Sequence, residues 1–268
     1  MSAQVTLAEA LQPLRAEPAR AAVLLDVDGT LAPIVRHADD AQMPEATRAQ
    51  LIAVVRRYGL VGCVSGREAT VARRIVSLGS IAYVGSHGAE LLAPGGTRVR
   101  LDPEVEQWAD RVRRFADGAW DDQLHRLRVR REDKRGIVAF HWRGAPDEDA
   151  AQRAICAVGD QAEQAGLFTH WGRKVLEVRP PVPLDKGRGI ERLLEERAVH
   201  RAMYVGDDLT DLDAFERLRA LVEDGRLEGA VCIGVRSDET PAGLEDAADA
   251  LVEGPLGVRG LLRALVDG

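Results

Sequence analysis

The sequence has few residues of several kinds, and each shortage argues against a class of protein. Its three cysteines lie far apart without a CxxC pair, which argues against a disulfide framework. No apolar run approaches the roughly 20 residues that a transmembrane helix needs, and the N-terminal segment has no apolar signal region. These absences predict a cytoplasmic protein that works without a membrane.

Acidic residues outnumber basic ones, 43 to 36. The formal net charge is −7 at pH 7, which argues against a protein that binds nucleic acid by neutralising its phosphates. Of 36 basic residues, the lysines are Lys134, Lys174 and Lys186. Because lysine supplies a compact point charge, these three are candidates for binding a small anion. Chance explains any single one of them equally well.

Common catalytic motifs are missing as well. The sequence contains no GxxxxGK[ST] phosphate loop, no GxSxG nucleophile turn and no HExxH or other zinc spacing. A P-loop nucleotidase, a serine hydrolase of the α/β type and a zinc enzyme are therefore disfavoured.

Short apolar runs, each ending in polar or glycine residues, indicate strands that are buried on both faces of a parallel sheet. Helical patterns separate these runs. The alternation predicts an α/β sheet with helices on both faces and with ligands beyond the carboxyl ends of its strands. The runs cover residues 21–25, 60–64, 81–84 and 202–205, and the helical patterns cover 44–58 and the segment after Lys186.

The middle of the chain has a different pattern, in which two helical stretches alternate with two pairs of strand-like stretches. The helical stretches are 101–118 and 146–166, and the strand-like ones lie within 126–142 and 168–178. Segments rich in proline and glycine at 93–97 and 180–183 bracket this region. We therefore expect a core domain formed by residues 1–100 and 181–268, with a smaller α+β domain, residues 101–180, inserted in it.

Two acidic clusters, DVDGTL (26–31) and GDDLTD (206–211), each follow a predicted strand. Asp26 and Asp28 are two positions apart, so an extended chain points both carboxylates to one side, and Gly29 allows a sharp turn. Adjacent carboxylates raise each other's pKa unless a cation lies between them. Mg²⁺ prefers such oxygen ligands. The clusters together predict one divalent metal site, whereas either cluster alone is also compatible with a solvated turn.

Other candidates are less specific on their own. SGR (65–67) follows the second predicted strand, where a hydroxyl and backbone N–H groups can hold phosphoryl oxygens. A helix-capping serine explains Ser65 equally well. Lys186 is able to bind an anion and pair with an acid, or to be a solvated residue before a helix. His87 and His141 are possible substrate contacts, although isolated histidines are more often structural.

Taken in order, DVDGTL, SGR, DKG (185–187) and GDDLTD resemble the motifs of the haloacid dehalogenase superfamily of aspartate-nucleophile phosphatases. Further segments are similar to the trehalose-phosphatase family within it: GSHGAEL (85–91), REDKRGIVAFHWR (131–143), GRKVLEVRPPVPLDKGRGI (172–190) and YVGDDLTDLDAFE (204–216). The resemblance covers roughly residues 21–253. It implies a Rossmann-like core with an inserted C2-type cap that sets substrate specificity. Val27 and Leu212 depart from the usual pattern at positions not expected to carry chemistry.

The resemblance also implies roles for residues of the core. Asp26 becomes the nucleophile that forms an aspartyl-phosphate, and Asp28 the general acid and then the general base. Ser65 and Lys186 offset the charge of the transferring phosphoryl group. The implied cofactor is Mg²⁺, with Asp208 or Asp211 orienting either the ion or Lys186. The implied metal-site residues are Asp26, Asp28 through its backbone carbonyl, Asp207, Asp208 and Asp211.

The implied reaction is hydrolysis of trehalose 6-phosphate to trehalose and phosphate, under a cap that closes to exclude water. Another sugar phosphate, such as sucrose 6-phosphate or mannosyl-3-phosphoglycerate, and a non-catalytic sugar-phosphate sensor are the alternatives. Implied substrate contacts are Gly29, Thr30, Ser65, Gly66, Arg67 and His87 in the core and Glu132, Lys134, His141, Lys174 and Glu177 in the cap. Arg173 is an alternative to Lys174, and the cap residues are equally compatible with a solvated strand face.

Overall fold

The computed structural model describes residues 6–35, 37, 40–195, 197–238 and 240–267. The chain divides into two compact units, Met1–Arg100 with Leu184–Gly268, and Leu101–Pro183. The expected core range also takes in residues 1–5 and 268, which lie outside the described residues. In the part of the chain that is described, no helix combines the length and the apolar character needed to cross a membrane.

Strands and helices alternate along most of the chain. The strands are β1 (Ala21–Leu25), β2 (Leu60–Val64), β3 (Ala82–Gly85), β4 (Glu90–Leu92), β5 (Val99–Leu101), β6 (Arg130–Lys134), β7 (Ile137–His141), β8 (Phe168–Gly172), β9 (Val175–Arg179), β10 (Arg201–Gly206), β11 (Gly229–Arg236) and β12 (Ala250–Glu253). The helices are α1 (Leu7–Ala16), α2 (Glu45–Val55), α3 (Ala69–Val76), α4 (Pro103–Ala119), α5 (Asp122–Arg126), α6 (Glu148–Gln164), α7 (Lys186–Glu195), α8 (Asp211–Glu223), α9 (Leu244–Ala247) and α10 (Gly254–Val266).

The first unit is built on one sheet with the strand order β12–β11–β10–β1–β2–β3–β4–β5. The pairs from β12 to β3 are parallel, and β4 runs antiparallel to β3. Since β1 lies between β2 and β10, the chain leaves β1 towards one side of the sheet and later returns on the other. This is the topological switch point at which α/β sheets bind ligands.

Both faces of β1 are buried, which explains its uninterrupted apolar sequence AAVLL. Ala21, Val23 and Leu25 pack in a hydrophobic cluster with residues of α1, α2, α3 and α10. Ala22 and Leu24 pack in a second cluster with residues of α7, α8 and α9. Helices therefore cover both faces of a mostly parallel sheet, and the predicted α/β fold class is confirmed.

The sequence prediction missed several elements, among them the strands β11 and β12 at one edge of the sheet and two short elements. β4 spans only Glu90–Leu92 and pairs antiparallel with β3, and such a short run has too few residues for its periodicity to be recognised. The five-residue helix α5 (Asp122–Arg126) begins where Asp121 accepts the backbone N–H of Leu124 at 2.9 Å. The capping residue Asp121 lies between the predicted helix (101–118) and the predicted strand-like region (126–142), where the sequence analysis assigned no element.

The second unit has an antiparallel sheet in the order β6–β7–β9–β8. One face contributes Val138, Phe140, Leu176 and Val178 to a hydrophobic core shared with α4 and α6. Because side chains alternate along a strand, the opposite face carries the intervening residues. A cross-strand row of Glu132, Ala139, Glu177 and His170 runs across that face.

Candidate active site

Asp26 directly follows β1 and is only 4% exposed. Its backbone N–H donates to the carbonyl of Val205 at 2.8 Å, which continues the pairing of β1 with β10. The ammonium group of Lys186 lies 2.8 Å from Oδ1 of Asp26. Burial raises the pKa of Asp26 well above its ordinary value, and the Lys186 charge opposes that rise. The carboxylate therefore lies in a water-poor site beside the ammonium group of Lys186.

Lys186 is held at the site by the start of α7. Asp185 accepts the backbone N–H of Arg188 at 2.7 Å, as a helix-capping residue does. Lys186 is only 2% exposed. Burial by itself would lower the pKa of Lys186, but Asp26 and Asp211 together raise it, so the side chain stays charged. The reading of Lys186 as a solvated lysine is therefore excluded.

The second acidic turn meets the first at Asp207. The hydroxyl of Thr30 donates to Oδ1 of Asp207 at 2.9 Å, although 177 positions separate the two residues. Gly29 has φ +82°, and a Cβ there would lie 2.0 Å from Oδ2 of Asp207. Glycine is therefore required at this point for both conformation and space. Burial, followed by the charge of Asp211, raises the pKa of Asp207 to about 7.

Asp211 is fully buried and accepts hydrogen bonds at both oxygens. Its Oδ1 accepts from Lys186 Nζ at 2.7 Å and from the Tyr204 hydroxyl at 2.5 Å. Its Oδ2 accepts the backbone N–H groups of Asp207 at 2.8 Å and Asp208 at 2.9 Å. An ionised carboxylate has about four acceptor positions, so these donors fill them. Asp211 is thus an anchor for the turn and for Lys186.

Asp208 also stabilises the acidic turn by accepting backbone hydrogen bonds. Its Oδ1 accepts the backbone N–H of Thr210 at 2.8 Å and that of Asp211 at 3.2 Å. Lys186 Nζ lies 3.5 Å from the same oxygen. Burial would raise the pKa of Asp208, but Lys186 and Thr210 hold it below its ordinary value. The side chain shapes the start of α8 beside the site.

The donor set fits a divalent cation. One carboxylate oxygen from each of Asp26, Asp207 and Asp211 lies within 4.8 Å of the others, and all three residues are buried. A single ammonium group cannot compensate three carboxylates in a poorly solvated site, and oxygen ligands of this kind suit hard cations such as Mg²⁺. Since the acceptor positions of Asp211 are already filled, Asp26 and Asp207 are the side chains with coordination capacity.

The carboxylate of Asp28 pairs with an arginine of the loop after β2. Both of its oxygens are held by Arg67, with Nε 2.7 Å from Oδ2 and Nη2 2.7 Å from Oδ1. Ser65 lies beside this pair, is only 2% exposed and accepts the backbone N–H of Arg67 at 3.2 Å.

His87 packs against the backbone of the segment that contains Ser65 and Arg67. A Cβ on Gly66 would lie 2.7 Å from Cε1 and Nε2 of His87, so a larger residue at this position would require the ring to shift. The backbone N–H of Ser86 donates to the carbonyl of Arg67 at 2.8 Å. Ser86 and His87 both have left-handed backbone conformations, with φ of 49° and 52°. This turn therefore supports the loop over residues 65–67.

The predicted cap residues form separate side-chain pairs in the second unit. Lys134 Nζ lies 2.8 Å from Oε1 of Glu177, and His141 Nε2 lies 2.8 Å from Oε2 of Glu132. Both pairs belong to the sheet face opposite α4 and α6. Lys174, at the turn between β8 and β9, contacts Glu148 at the start of α6 at 2.5 Å instead. Lys174 has a left-handed φ of 63°, a conformation that is common in hairpin turns.

Two residues adjoining these groups were not predicted. Tyr204 precedes the second acidic cluster and donates to Asp211, and Arg179 lies 2.5 Å through Nη2 from Oε2 of Glu177. Tyr204 was hidden within an apolar strand. Arg179 is two residues beyond Glu177, so the alternation of a strand places both on one face. This two-residue spacing is the sequence feature from which Arg179 could have been predicted.

Comparison with solved structures identifies the type of fold first. The fold resembles a haloacid dehalogenase-like hydrolase from Bacteroides thetaiotaomicron, with a TM-score of 0.62 and 14% identity over 91% of this chain and 98% of that one. It also resembles the C-terminal domain of Candida albicans trehalose-6-phosphate phosphatase, with a TM-score of 0.69 and 21% identity over 96% of both chains. These matches concern the fold alone.

Sequence comparison then identifies the family. The Trehalose-phosphatase family model matches residues 24–244, so the chain belongs to that family. It is 34% identical over 209 residues to a trehalose-phosphate phosphatase of Mycobacterium marinum, covering 74% of this chain and 51% of that protein. It is 33% identical over 217 residues to an uncharacterized glycosyl hydrolase of Mycobacterium tuberculosis, covering 75% of this chain but 15% of that protein. The chain thus spans about half or less of these relatives.

Proposed function

We propose that the chain is a Mg²⁺-dependent phosphatase that hydrolyses trehalose 6-phosphate through an aspartyl-phosphate. The observation that carries the proposal is the buried Asp26 carboxylate, which lies with Asp207 in one acidic cluster and 2.8 Å from Lys186. Membership of the trehalose-phosphatase family supports the same reaction. The chemistry needs a nucleophile, a proton donor and compensation of phosphoryl charge, and this unit has a candidate for each.

Asp26 is the proposed nucleophile. One of its oxygens attacks phosphorus, an Asp26–phosphate bond forms, and the bond from phosphorus to the sugar oxygen breaks. Asp28 gives a proton to the departing sugar oxygen and then takes one from water. That water attacks phosphorus, the Asp26–phosphate bond breaks, and inorganic phosphate leaves while Asp26 is regenerated.

Three groups would hold Mg²⁺ in this proposal: the carboxylates of Asp26 and Asp207 and the backbone carbonyl of Asp28. A bound Mg²⁺ supplies positive charge that neutralises phosphoryl oxygens and the nucleophile. Asp211 and Asp208 keep Lys186 and the turn in place. Lys186 and Ser65 contribute a cation and a hydroxyl for the phosphoryl oxygens, since phosphoryl transfer depends mainly on electrostatic stabilisation.

The second unit is proposed to bind the sugar. The sheet face opposite α4 and α6 carries paired acids and bases, and each such group donates or accepts several hydrogen bonds with a polyhydroxylated ligand. Because Lys134 and Glu177 are already paired at 2.8 Å, their positions are set before the sugar binds. The proposed sugar contacts are Glu132, Lys134, His141 and Glu177, with Lys174 or Arg173 at the hairpin turn.

The decisive experiment measures phosphate release from trehalose 6-phosphate with and without Mg²⁺, for the native chain and for Asp26→Asn. We expect release only from the native chain with Mg²⁺. Asp224→Asn, which changes an exposed aspartate at the end of α8, serves as the matched control and should keep full activity. Full activity of Asp26→Asn would refute the mechanism.

A panel of sugar phosphates tests the substrate separately. It contains trehalose 6-phosphate, sucrose 6-phosphate, mannosyl-3-phosphoglycerate and glucose 6-phosphate. We expect kcat/KM for trehalose 6-phosphate to exceed the others by more than about tenfold, or roughly 1.4 kcal/mol. A smaller preference would refute the assigned sugar but leave the phosphatase chemistry intact. Absence of turnover with every ester would favour a sugar-phosphate sensor.

A further inference from the structure

Tyr204 carries a hydroxyl group into the apolar core of the first unit. The residue lies in β10 and is 0% exposed. Its ring packs edge-on against Phe215, with 6.0 Å between the ring centroids. Phenylalanine would keep this packing, so the hydroxyl group adds nothing to the apolar contact. A buried hydroxyl is costly unless it forms a hydrogen bond, and that of Tyr204 donates to Oδ1 of Asp211 at 2.5 Å.

The oxygen that accepts from Tyr204 also accepts from Lys186. Lys186 Nζ lies 2.7 Å from Oδ1 of Asp211 and 2.8 Å from Oδ1 of Asp26. The ammonium group is therefore shared almost equally between two carboxylates. In a poorly solvated site this balance depends on how much negative charge each oxygen presents to the ammonium group. A second donor on the Asp211 oxygen weakens its hold on Lys186.

The other oxygen of Asp211 cannot take over this task. Its Oδ2 already accepts the backbone N–H groups of Asp207 and Asp208 at 2.8 and 2.9 Å. These bonds prevent the carboxylate from rotating without disruption of the acidic turn. Loss of the Tyr204 hydroxyl would leave Lys186 as the one donor that the structure records on Oδ1 of Asp211. The ammonium group would then move towards Asp211 and away from Asp26.

We propose that Tyr204 is a positioning residue, which acts through Asp211 to keep the Lys186 ammonium group beside Asp26. The inference rests on the proposed function, because the work of Lys186 and Asp26 on a phosphoryl group belongs to it. Tyr204 acts only through its neighbours. Its contribution is expected in the transition state, where charge on the phosphoryl oxygens must be met by a correctly placed cation.

Tyr204→Phe removes a single oxygen atom and tests the proposal directly. Tyr83→Phe is the matched control, because Tyr83 is also 0% exposed and its hydroxyl donates at 2.5 Å to the carbonyl of Leu78. With p-nitrophenyl phosphate and trehalose 6-phosphate, Tyr204→Phe should lower kcat at least about tenfold with KM within about twofold. Tyr83→Phe should change neither constant by more than about twofold. A smaller loss of kcat in Tyr204→Phe, or an equal loss in Tyr83→Phe, overturns the proposal.

Inhibition constants separate positioning from general loosening of the core. Orthovanadate resembles the five-coordinate phosphoryl group of the transition state, whereas inorganic phosphate resembles the product. Tyr204→Phe should weaken inhibition by orthovanadate by about the factor lost in kcat and leave inhibition by phosphate unchanged. A parallel change in both inhibition constants would contradict a positioning role. Circular dichroism and thermal unfolding confirm that each variant is folded.

Asp211→Asn provides a second test when it is combined with Tyr204→Phe. The amide keeps the shape of the side chain and removes its charge, so the Tyr204 hydroxyl no longer modulates a charged oxygen that competes for Lys186. Adding Tyr204→Phe to Asp211→Asn should therefore lower kcat by less than about twofold, and a further loss as large as that in the native chain contradicts the proposed chain of contacts. If the native chain is active and Asp26→Asn is inactive, the proposed function stands whatever these variants do.

Discussion

Arg67 holds both carboxylate oxygens of Asp28, with Nε and Nη2 each 2.7 Å from its oxygen partner. This two-point contact fixes the direction of Asp28 more strictly than a single ion pair would. In the proposed reaction, Asp28 must deliver its proton to the sugar oxygen that leaves phosphorus. The contact therefore links the loop after β2 to the proton-transfer step of a residue that follows β1.

Arg67→Met is expected to impair proton delivery more than attack on phosphorus. Trehalose 6-phosphate has a poor leaving group that needs a proton, whereas p-nitrophenolate leaves without one. The variant should lose at least about tenfold in kcat with trehalose 6-phosphate and much less with p-nitrophenyl phosphate. Arg67→Lys keeps the charge without the two-point geometry and should resemble Arg67→Met. Equal losses with both esters would refute this role.

Lys186→Met is expected to destabilise the first unit, because it leaves Asp26 and Asp211 buried without their cation. Breaking a buried ion pair in this way costs about 3–5 kcal/mol. Burial raises the pKa of Asp26 above the unfolded value near 3.8, so the cost develops as the pH rises above that value and lessens as the carboxylate gains a proton. Urea unfolding, followed by circular dichroism, should show a larger loss at about pH 8 than at about pH 5.

A double variant checks the cause of that loss. Asp26→Asn removes one of the two stranded charges, so Lys186→Met with Asp26→Asn should be more stable than Lys186→Met alone. If the double variant is no more stable, the loss comes from packing of the lysine side chain and not from the unpaired carboxylate.

Gly29→Ala is expected to disrupt the acidic cluster. Its Cβ would lie 2.0 Å from Oδ2 of Asp207, so Asp207 must move and its bond with Thr30 at 2.9 Å must break or lengthen. Calorimetry should show weaker Mg²⁺ binding. Gly95→Ala is the matched control, because Gly95 has a similar φ of +71° but nothing within 4 Å of the added Cβ. In both variants an alanine with positive φ costs roughly 1 kcal/mol of stability. Only Gly29→Ala should lose affinity for Mg²⁺.

Local sequence signals were sufficient for the strands β1, β2, β3 and β10 and for the meeting of the two acidic turns, but not for the strands β4, β5, β11 and β12 of the same sheet. Apolar runs that end in aspartate identify buried strands whose carboxyl ends share an edge, so Asp26 and Asp207 could be predicted to approach each other. The direction of Asp28 could not, since it depends on Arg67, which is 39 positions away. Tyr204 was equally hidden, because a strand pattern indicates that a tyrosine is buried but not which atom accepts from its hydroxyl.

The second unit shows the same limit more strongly. The alternation of β9 indicates that Glu177 and Arg179 share a face, but the approach of Lys134 depends on the order β6–β7–β9–β8. Residues that are close in sequence can also have different partners. Lys174 is close to Glu177 in sequence, yet the hairpin turn directs it to Glu148. Pairings between strands are set by the whole sheet, so a single sequence identifies the candidates without their partners.

The contacts of Glu177 make the second unit less stable at acidic pH than at neutral pH. Burial opposes ionisation of Glu177, but Lys134 and Arg179 outweigh it and lower its pKa from 4.5 to about 2. A lowered pKa stabilises the folded state above the unfolded value, and this stability is lost as the pH falls from about 4.5 towards 2. Between about pH 6 and pH 3 the loss from this residue is on the order of 2 kcal/mol.

Glu177→Gln should remove this part of the pH dependence. The native chain is expected to lose about 2 kcal/mol more unfolding free energy than the variant between about pH 6 and pH 3. All four tryptophans, Trp108, Trp120, Trp142 and Trp171, lie in the second unit, so their fluorescence during urea unfolding reports on that unit. Glu163→Gln is the control, since Glu163 accepts a hydrogen bond from the neutral hydroxyl of Thr169, and it should keep the native pH dependence. If Glu177→Gln follows the native chain across this range, Lys134 and Arg179 do not hold the Glu177 carboxylate in its charged form.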